Sequence, residues 1–250
     1  MTEISLTDLH THILPGIDDG AKNLEASLEL LRRQKQSGVE RVALTPHFYP
    51  LRKELPDFLE QRHRSFAELM PFWDGNAMPQ LRLGAEVHYS PCLADMDLRC
   101  LTLAQSDYLL LELSDTTVPA HIEQVLKIIL EQGITPILAH VERCVYFAEE
   151  PARLLRLIEA GALAQVSARA LQNNKRRKFA GICLKKKAAQ IIASDIHSMR
   201  EGKCCLGELA ESLDEEMVAQ AEAVARAEWD NTPLPEFTPM PIKRKLFGYA

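Results

Sequence analysis

The sequence predicts an α/β protein built as a barrel of parallel strands wrapped by helices. Two observations carry that expectation. Short apolar runs alternate with helical patterns along the 250 residues, as in a parallel sheet covered by helices. Six of the seven apolar runs end in His, Asp or Glu. In an open doubly wound sheet, ligand groups gather at one switch point between two strand ends. Polar residues after nearly every strand suit a ring whose C-terminal strand ends share one mouth.

The elements follow in order. Residues 4–9 run into His10-Thr11-His12, and residues 39–44 into Thr45-Pro46-His47. Residues 81–85 stop at Glu86, 108–111 at Glu112, and 134–139 at His140. Residues 162–166 stop at Ser167, and 189–194 open onto Asp195-Ile196-His197. Between them, Leu24, Leu28 and Leu31, and then Ile122, Val125, Leu126 and Ile129, recur at helical spacing. Gly38, Gly133 and Gly161 each stand where a helix should stop before the next strand. Residues 1–229 are expected to form the barrel. Residues 230–250 break the pattern, because Pro233, Pro235, Pro239 and Pro241 preclude a regular helix or central strand. That basic, aromatic tail is equally compatible with disorder and with docking on its own barrel or on a neighbouring subunit.

Composition narrows the function classes. Hydrophobic residues at 46 % and charged residues at 26 % exclude a disordered chain. The net charge of −6 argues against a nucleic-acid backbone binder. No export signal opens the sequence and no apolar run is long enough to span a bilayer. The six cysteines form no C-x-x-C pair and read as reduced thiols of a cytoplasmic protein. None is followed six positions later by arginine, so the thiolate-phosphatase signature is absent. Lys175-Arg176-Arg177-Lys178 and Lys185-Lys186-Lys187 make one segment locally basic. It reads either as a solvated helix face or as a patch that recruits acidic or phosphorylated protein.

The histidines and acids form a pattern of their own. His10-x-His12 and Asp195-x-His197 place pairs on one strand face, since side chains alternate with period two. With Asp19, His47, Glu86, Glu112 and His140 they make nine candidate metal ligands, near strand ends or in the loop after the first strand. His63, His88 and His121 lie outside the pattern. Nine N/O ligands exceed what one ion takes, and imidazole with carboxylate suits Mn, Fe or Zn. Converging carboxylates would repel one another without metal. Two or three ions could bind a phosphate ester and generate a nucleophilic water near neutral pH.

The opening motif, Asp8-Leu9-His10-Thr11-His12-Ile13-Leu14-Pro15-Gly16-Ile17-Asp18-Asp19-Gly20, resembles that of the PHP (polymerase and histidinol phosphatase) superfamily. More closely, it is similar to that superfamily's bacterial protein-tyrosine phosphatases of capsule and exopolysaccharide clusters. Thr45-Pro46-His47, Gly84-Ala85-Glu86-Val87, Leu111-Glu112-Leu113, Ile137-Leu138-Ala139-His140-Val141-Glu142-Arg143 and Ala193-Ser194-Asp195-Ile196-His197 match its later motifs in order.

The resemblance implies a distorted TIM-like (β/α)7 barrel with three ions, usually manganese or iron, at the C-terminal strand ends. It implies one ion on His10, His12, Glu86 and Asp195, and a second on Glu86, Glu112 and His140. A third would lie on Asp19, His47 and His197, with Asp19 rather than Asp18 as the match. A hydroxide would attack phosphorus in line, with no covalent enzyme intermediate, and Arg143 would hold phosphate oxygens. After Asp195-x-His197 an arginine is expected near the phosphate, and Arg200 and Lys203 compete for that role. Some members carry arginines directly after the histidine matching His47, whereas this chain has Phe48-Tyr49, whose rings could stack on a tyrosyl substrate.

The expected activity is hydrolysis of phosphotyrosine on a bacterial tyrosine kinase that controls polysaccharide synthesis. The alternatives are a small-molecule phosphatase of the histidinol phosphatase type and a non-catalytic kinase-docking module. Membrane insertion and nucleic-acid partners are not expected, and a homo-oligomer is left open.

Overall fold

Strand β1 (Leu6–Thr11) is buried along its whole length and starts the sheet; α1 (Leu24–Gln36) then returns the chain to β2 (Val39–Leu44). Asn23 caps α1, its side chain accepting from the Ala26 amide at 3.0 Å. Next come β3 (His47–Phe48), α2 (Leu55–Leu69), β4 (Gln80–Leu83), β5 (Glu86–His88), β6 (Tyr108–Glu112), α3 (Ile122–Glu131) and β7 (Thr135–Leu138). Then follow α4 (Val145–Glu149), α5 (Pro151–Glu159), β8 (Leu163–Ser167), α6 (Ala168–Gln172), α7 (Arg177–Lys185) and β9 (Ile191–Ala193). The chain finishes with α8 (Leu206–Ala210), α9 (Glu215–Asp230) and the hairpin of β10 (Arg244–Lys245) and β11 (Gly248–Tyr249). This computed structural model describes residues 5–103, 106–172, 175–199, 205–245 and 248–250.

Two of the seven expected strands are each followed by a short further piece. Pro46, which has no amide hydrogen, separates β2 from β3, and Gly84-Ala85 separates β4 from β5. Gly84 marks a close approach: a Cβ there would lie 2.8 Å from Leu103 Cδ2, and buried Arg62 donates to its carbonyl at 2.7 Å. Glu86 therefore begins β5 rather than ending β4.

All pairings around the sheet are parallel, in the orders β1-β2-β4 and β3-β5-β6-β7-β8-β9. Because β3 continues β2 and β5 continues β4, the two pieces run on into each other. Backbone bonds from Gly84 N to Leu44 O (2.9 Å) and Glu86 N to Pro46 O (3.1 Å) carry the ladder across the break. At the far side, Asp195 N donates to His10 O (3.0 Å) and His12 N to Ile196 O (2.9 Å), tying the segment after β9 back to β1. These bonds join the last strand to the first at the mouth, the arrangement of a barrel. Gly38, Gly133 and Gly161 end their helices with φ of 89°, 74° and 113°, as the sequence indicated.

One irregularity in β1 matters for the site. Asp8 pairs with Val42 and Thr11 with Leu44, three steps against two, so β1 carries an extra residue there. Leu9 packs into a cluster with Leu110, Ile137, Leu163 and Ile191, while its neighbour His10 faces Gln165. Both therefore point inward, which a regular strand forbids. Below the mouth, Val224, Ala225 and Trp229 of α9 join that cluster as a stopper.

The tail is docked on its own barrel. Met240 N donates to Lys186 O at 2.8 Å, Ile242 is buried, and the Tyr249 ring lies 5.2 Å from Phe179. Among the described residues, no helix is long and apolar enough to cross a membrane.

Candidate metal centre

Six strands and the loop after β1 deliver the expected ligands to one place. His10 Nε2 lies 3.3 Å from both Glu86 Oε2 and Asp195 Oδ1, and His12 Nε2 lies 3.2 Å from Glu86 Oε2 and 3.6 Å from Asp195 Oδ1. His140 Nε2 approaches Glu86 Oε1 at 2.8 Å and Glu112 Oε1 at 3.8 Å. Asp19 Oδ1 stands 3.5 Å from Nε2 of both His47 and His197. His47 also turns Nδ1 toward Glu86 Oε2, at 2.9 Å, so it lies between the last two groups. All nine candidate ligands are thus neighbours. Asp19 is the exposed member, 71 % open at its side chain, whereas His10, His12 and Glu86 are fully shielded.

Backbone strain marks the same place. His140 and Asp195 adopt left-handed conformations, φ 33° and 54°, which non-glycine residues rarely take and which cluster at functional sites.

A second ring of groups orients the ligands, and most of it escaped the sequence reading. Gln165 Oε1 accepts from His10 Nδ1 at 3.0 Å and from the His140 amide at 3.3 Å. That holds the His10 proton on Nδ1 and leaves Nε2 as the free donor. Asp18 does the same for His12, its Oδ2 accepting from Nδ1 at 2.8 Å; Asp18 also accepts from the amides of Gly20 (3.0 Å) and His47 (3.1 Å). The adjacent aspartates therefore divide the work, Asp19 facing the histidine nitrogens and Asp18 bracing from behind. Gly20 is required for this turn, because a Cβ there would fall 2.0 Å from His12 O. Asp8 ties β1 to the last strand end, accepting from Ser194 N at 3.0 Å and Gln34 Nε2 at 2.8 Å. His88, which the sequence left outside the pattern, bonds Glu112 Oε2 through Nδ1 at 3.0 Å.

Electrostatics follow from this packing. Burial would raise the Glu86 carboxyl, but the His10 charge and the surrounding imidazoles of His12 and His140 hold it well below the usual range. Burial likewise opposes ionisation of Asp195, yet His10 and Arg143 bring it down to about 2. The histidines respond in the opposite sense: despite burial, Glu86 and Asp195 raise His10, and Asp18 and Glu86 raise His12 well above its ordinary value.

The donor set fits divalent ions. Glu86 Oε2 meets three histidine nitrogens within 3.3 Å yet makes no well-formed hydrogen bond with any of them. His10 Nε2 and His12 Nε2 face each other at 3.1 Å. Lone pairs converging in this way suit cations better than protons. Three groups of donor atoms close enough to hold an ion occur among the described residues: His12, Asp19, His47 and His197; His10, His12 and Glu86; His47, Glu86 and Glu112.

Of the expected phosphate contacts, Arg143 is ion-paired to Asp195 at the rim. Arg200 and Lys203 lie outside the described residues. Phe48 is buried against Phe58, ring centres 4.9 Å apart, so it offers no ring to a substrate. Tyr49 does: its ring lies 5.3 Å from both His47 and His88, with the Arg52 guanidinium 5.1 Å from its centre. Cys92, Cys100, Cys144 and Cys183 are free thiols. Burial pushes Cys144 up to about 12 and Cys183 well above its usual range, so neither is a thiolate nucleophile.

The family model for capsular polysaccharide synthesis proteins, CpsB/CapC, matches residues 6–231, spanning every strand of the barrel and every candidate ligand. The chain belongs to the CpsB/CapC family. It is 29 % identical over 266 residues to the tyrosine-protein phosphatase YwqE of Bacillus subtilis, covering 98 % of this chain and 100 % of that one. It is also 29 % identical over 205 residues to the tyrosine-protein phosphatase CpsB of Streptococcus pneumoniae, covering 78 % and 84 %. A solved structure from work on these two proteins, described as unique metal-dependent tyrosine phosphatases, superposes with a TM-score of 0.82 at 24 % identity over 96 % of this chain and 100 % of that one. A phosphotriesterase homology protein from Escherichia coli, solved with phosphate in its active site, superposes with a TM-score of 0.52 at 11 % identity, over 90 % and 99 %. Both likenesses are of fold, and both agree with the α/β barrel expected of a CpsB/CapC chain.

Proposed function

We propose that this CpsB/CapC protein is a metal-dependent protein-tyrosine phosphatase of the cytoplasm. In this reading it acts on phosphotyrosine of a bacterial tyrosine kinase governing capsular or exopolysaccharide synthesis. The observation that carries the reading is the meeting of nine nitrogen and oxygen ligands around Glu86, with no cysteine in the donor groups found among the described residues. Residues 1–229 are the phosphatase barrel and 230–250 an accessory tail.

The residues divide among three manganese ions (iron and zinc suit the same donors). His10, His12, Glu86 and Asp195 hold one; Glu86, Glu112 and His140 the second; Asp19, His47 and His197 the third. Such ions, when bound, lower the pKa of a water toward neutrality and stabilise charge on the phosphoryl oxygens. The chain's own contribution is preorganisation. Gln165 and Asp18 fix the tautomers of His10 and His12, so no reorientation is needed as a substrate arrives. Arg143, set by Asp195, presents its planar fork to the non-bridging phosphate oxygens. Tyr49 forms an aromatic wall beside His47 against which a phosphotyrosyl ring can stack. Arg200 and Lys203 are the further candidates for phosphate binding.

The test is phosphate release from a phosphotyrosine peptide by chelator-stripped protein, then with manganese restored, with histidinol phosphate run alongside. Turnover that returns with manganese and favours the peptide is expected. Restored turnover favouring histidinol phosphate would replace the substrate class. No turnover of either would overturn the enzymatic reading in favour of a kinase-docking protein.

A further inference from the structure

Arg143 faces two ways. On one side it pairs with Asp195 in the centre, and on the other it lines a groove of about 460 Å³ that the chemistry above leaves unused. Lys175, Arg176 and Lys178 line the same groove and are exposed. Among the described lining residues the one acid is Glu142, and it is buried. The protein as a whole carries −6, which makes four cations around one groove a local reversal of sign.

Three features give the groove the character of a peptide subsite. First, Arg176, Arg177 and Lys178 stand at the N-terminus of α7, whose first turn carries no acid. Cations at that positive end of the helix dipole are unfavourable, and an incoming anion would relieve them. Second, Val145 beside Arg143 is 47 % exposed although it is a large aliphatic residue, giving the basic groove an apolar spot. Third, the far wall is held in place: Tyr249 of the tail donates to Ala148 O at 3.1 Å and packs on Phe179. The groove is thus shaped by docking of the chain's own tail, and it opens beside the arginine at the rim of the centre.

We propose that this groove is a specificity subsite that seats acidic side chains flanking the phosphotyrosine of a protein substrate. The proposal rests on the phosphatase reading for its location relative to the scissile phosphate. Carboxylates of the flanking segment pair with Arg176 and Lys178 while the segment's aliphatic portion lies on Val145. The pairs are solvent-facing, so their effect is on recruitment and register rather than on the chemical step.

The test uses manganese-loaded full-length protein and its double variant Arg176→Glu/Lys178→Glu, both substitutions being on the surface. Three substrates are compared: a phosphotyrosine peptide with glutamates on both flanks, the same peptide with glutamines, and p-nitrophenyl phosphate, which has no flanking segment to lie in the groove. The parent protein should prefer the glutamate peptide by about tenfold in kcat/KM, the size expected of a few exposed charge pairs. The variant should lose or invert that preference while hydrolysing p-nitrophenyl phosphate like the parent. Equal preference in both proteins, or none in the parent, would overturn the subsite. If the parent turns over none of the three, the phosphatase reading fails instead. Fluorescence anisotropy of the labelled, unphosphorylated glutamate peptide then decides the groove: binding by the parent and not by the variant upholds it, and no difference overturns it.

Discussion

Replacing Gln165 with leucine isolates the part that orientation plays in metal binding. The side chain is buried, and its Oε1 is the acceptor for His10 Nδ1 at 3.0 Å. Without that acceptor, the metal-free protein has a remedy. The imidazole can move its proton to Nε2, where Glu86 Oε2 and Asp195 Oδ1 both wait at 3.3 Å. With an ion on Nε2 the remedy is gone, because the proton must then sit on Nδ1 against an aliphatic side chain. The His10 penalty therefore falls on the loaded state alone, while loss of the acceptor for the His140 amide weighs on both states alike. An unsatisfied buried donor costs ~1–3 kcal/mol, so manganese should bind about 10- to 100-fold more weakly. Equilibrium dialysis of manganese against chelator-stripped parent and variant measures this directly, and urea unfolding of the stripped proteins should show a smaller difference. Gln165→Glu restores an acceptor and should keep or tighten the affinity. A well-folded Q165L protein that binds manganese like the parent would refute the placing of His10 Nε2 among the ligand atoms.

Two further outcomes can be checked with simpler assays. His140→Ala and Asp195→Asn should each abolish turnover of a phosphotyrosine peptide while leaving far-UV circular dichroism intact; retention of more than about a tenth of the activity, under ~1.4 kcal/mol of barrier, would count against their roles. Glu222 accepts from Thr7 N at 2.6 Å and from its hydroxyl at 2.8 Å, and burial pushes its carboxyl from 4.5 up to about 7. The folded state thus keeps a proton that the unfolded state releases near 4.5. Its stabilising contribution is complete below that pH and lost as pH rises through about 7, a swing of ~3 kcal/mol. Glu222→Gln should flatten this part of the stability profile. Urea unfolding of stripped protein at pH 5 and pH 8 would expose an unchanged slope if the assignment is wrong.

What the sequence disclosed depended on contrast. A histidine or carboxylate that ends an apolar run is conspicuous, and His10, His47, Glu86, Glu112, His140 and Asp195 all stand in that setting. The groups that orient them are not conspicuous. Gln165 sits inside residues 162–166, and its only signal was being the lone polar residue of that run. His88 lies two residues after Glu86, the in-strand spacing already noted for His10 and His12, yet its partner Glu112 comes from the next strand, a pairing that spacing cannot show. Asp18 and Asp19 are adjacent and chemically alike, so only the turn at Gly20 separates their tasks. The role of Arg62, bonding Gly84 O and Cys100 O across 22 and 38 residues, had no local signature. Docking of the tail likewise depends on contacts with α4 and α7, which its own proline-rich composition does not reveal.

The extra residue in β1 sets a rule for how this protein can change. Leu9 belongs to the hydrophobic interior and His10 to the reactive mouth, and the two are successive residues joined across the bulge. A substitution at Leu9 would alter the interior layer alone, whereas His10 is fixed by its place at the mouth. Loss or gain of a single residue there would rotate the following side chains to the opposite face, sending His12 outward or breaking the bonds that join β1 to the last strand end. Related chains should therefore vary at Leu9 while keeping His10 and the length of the segment.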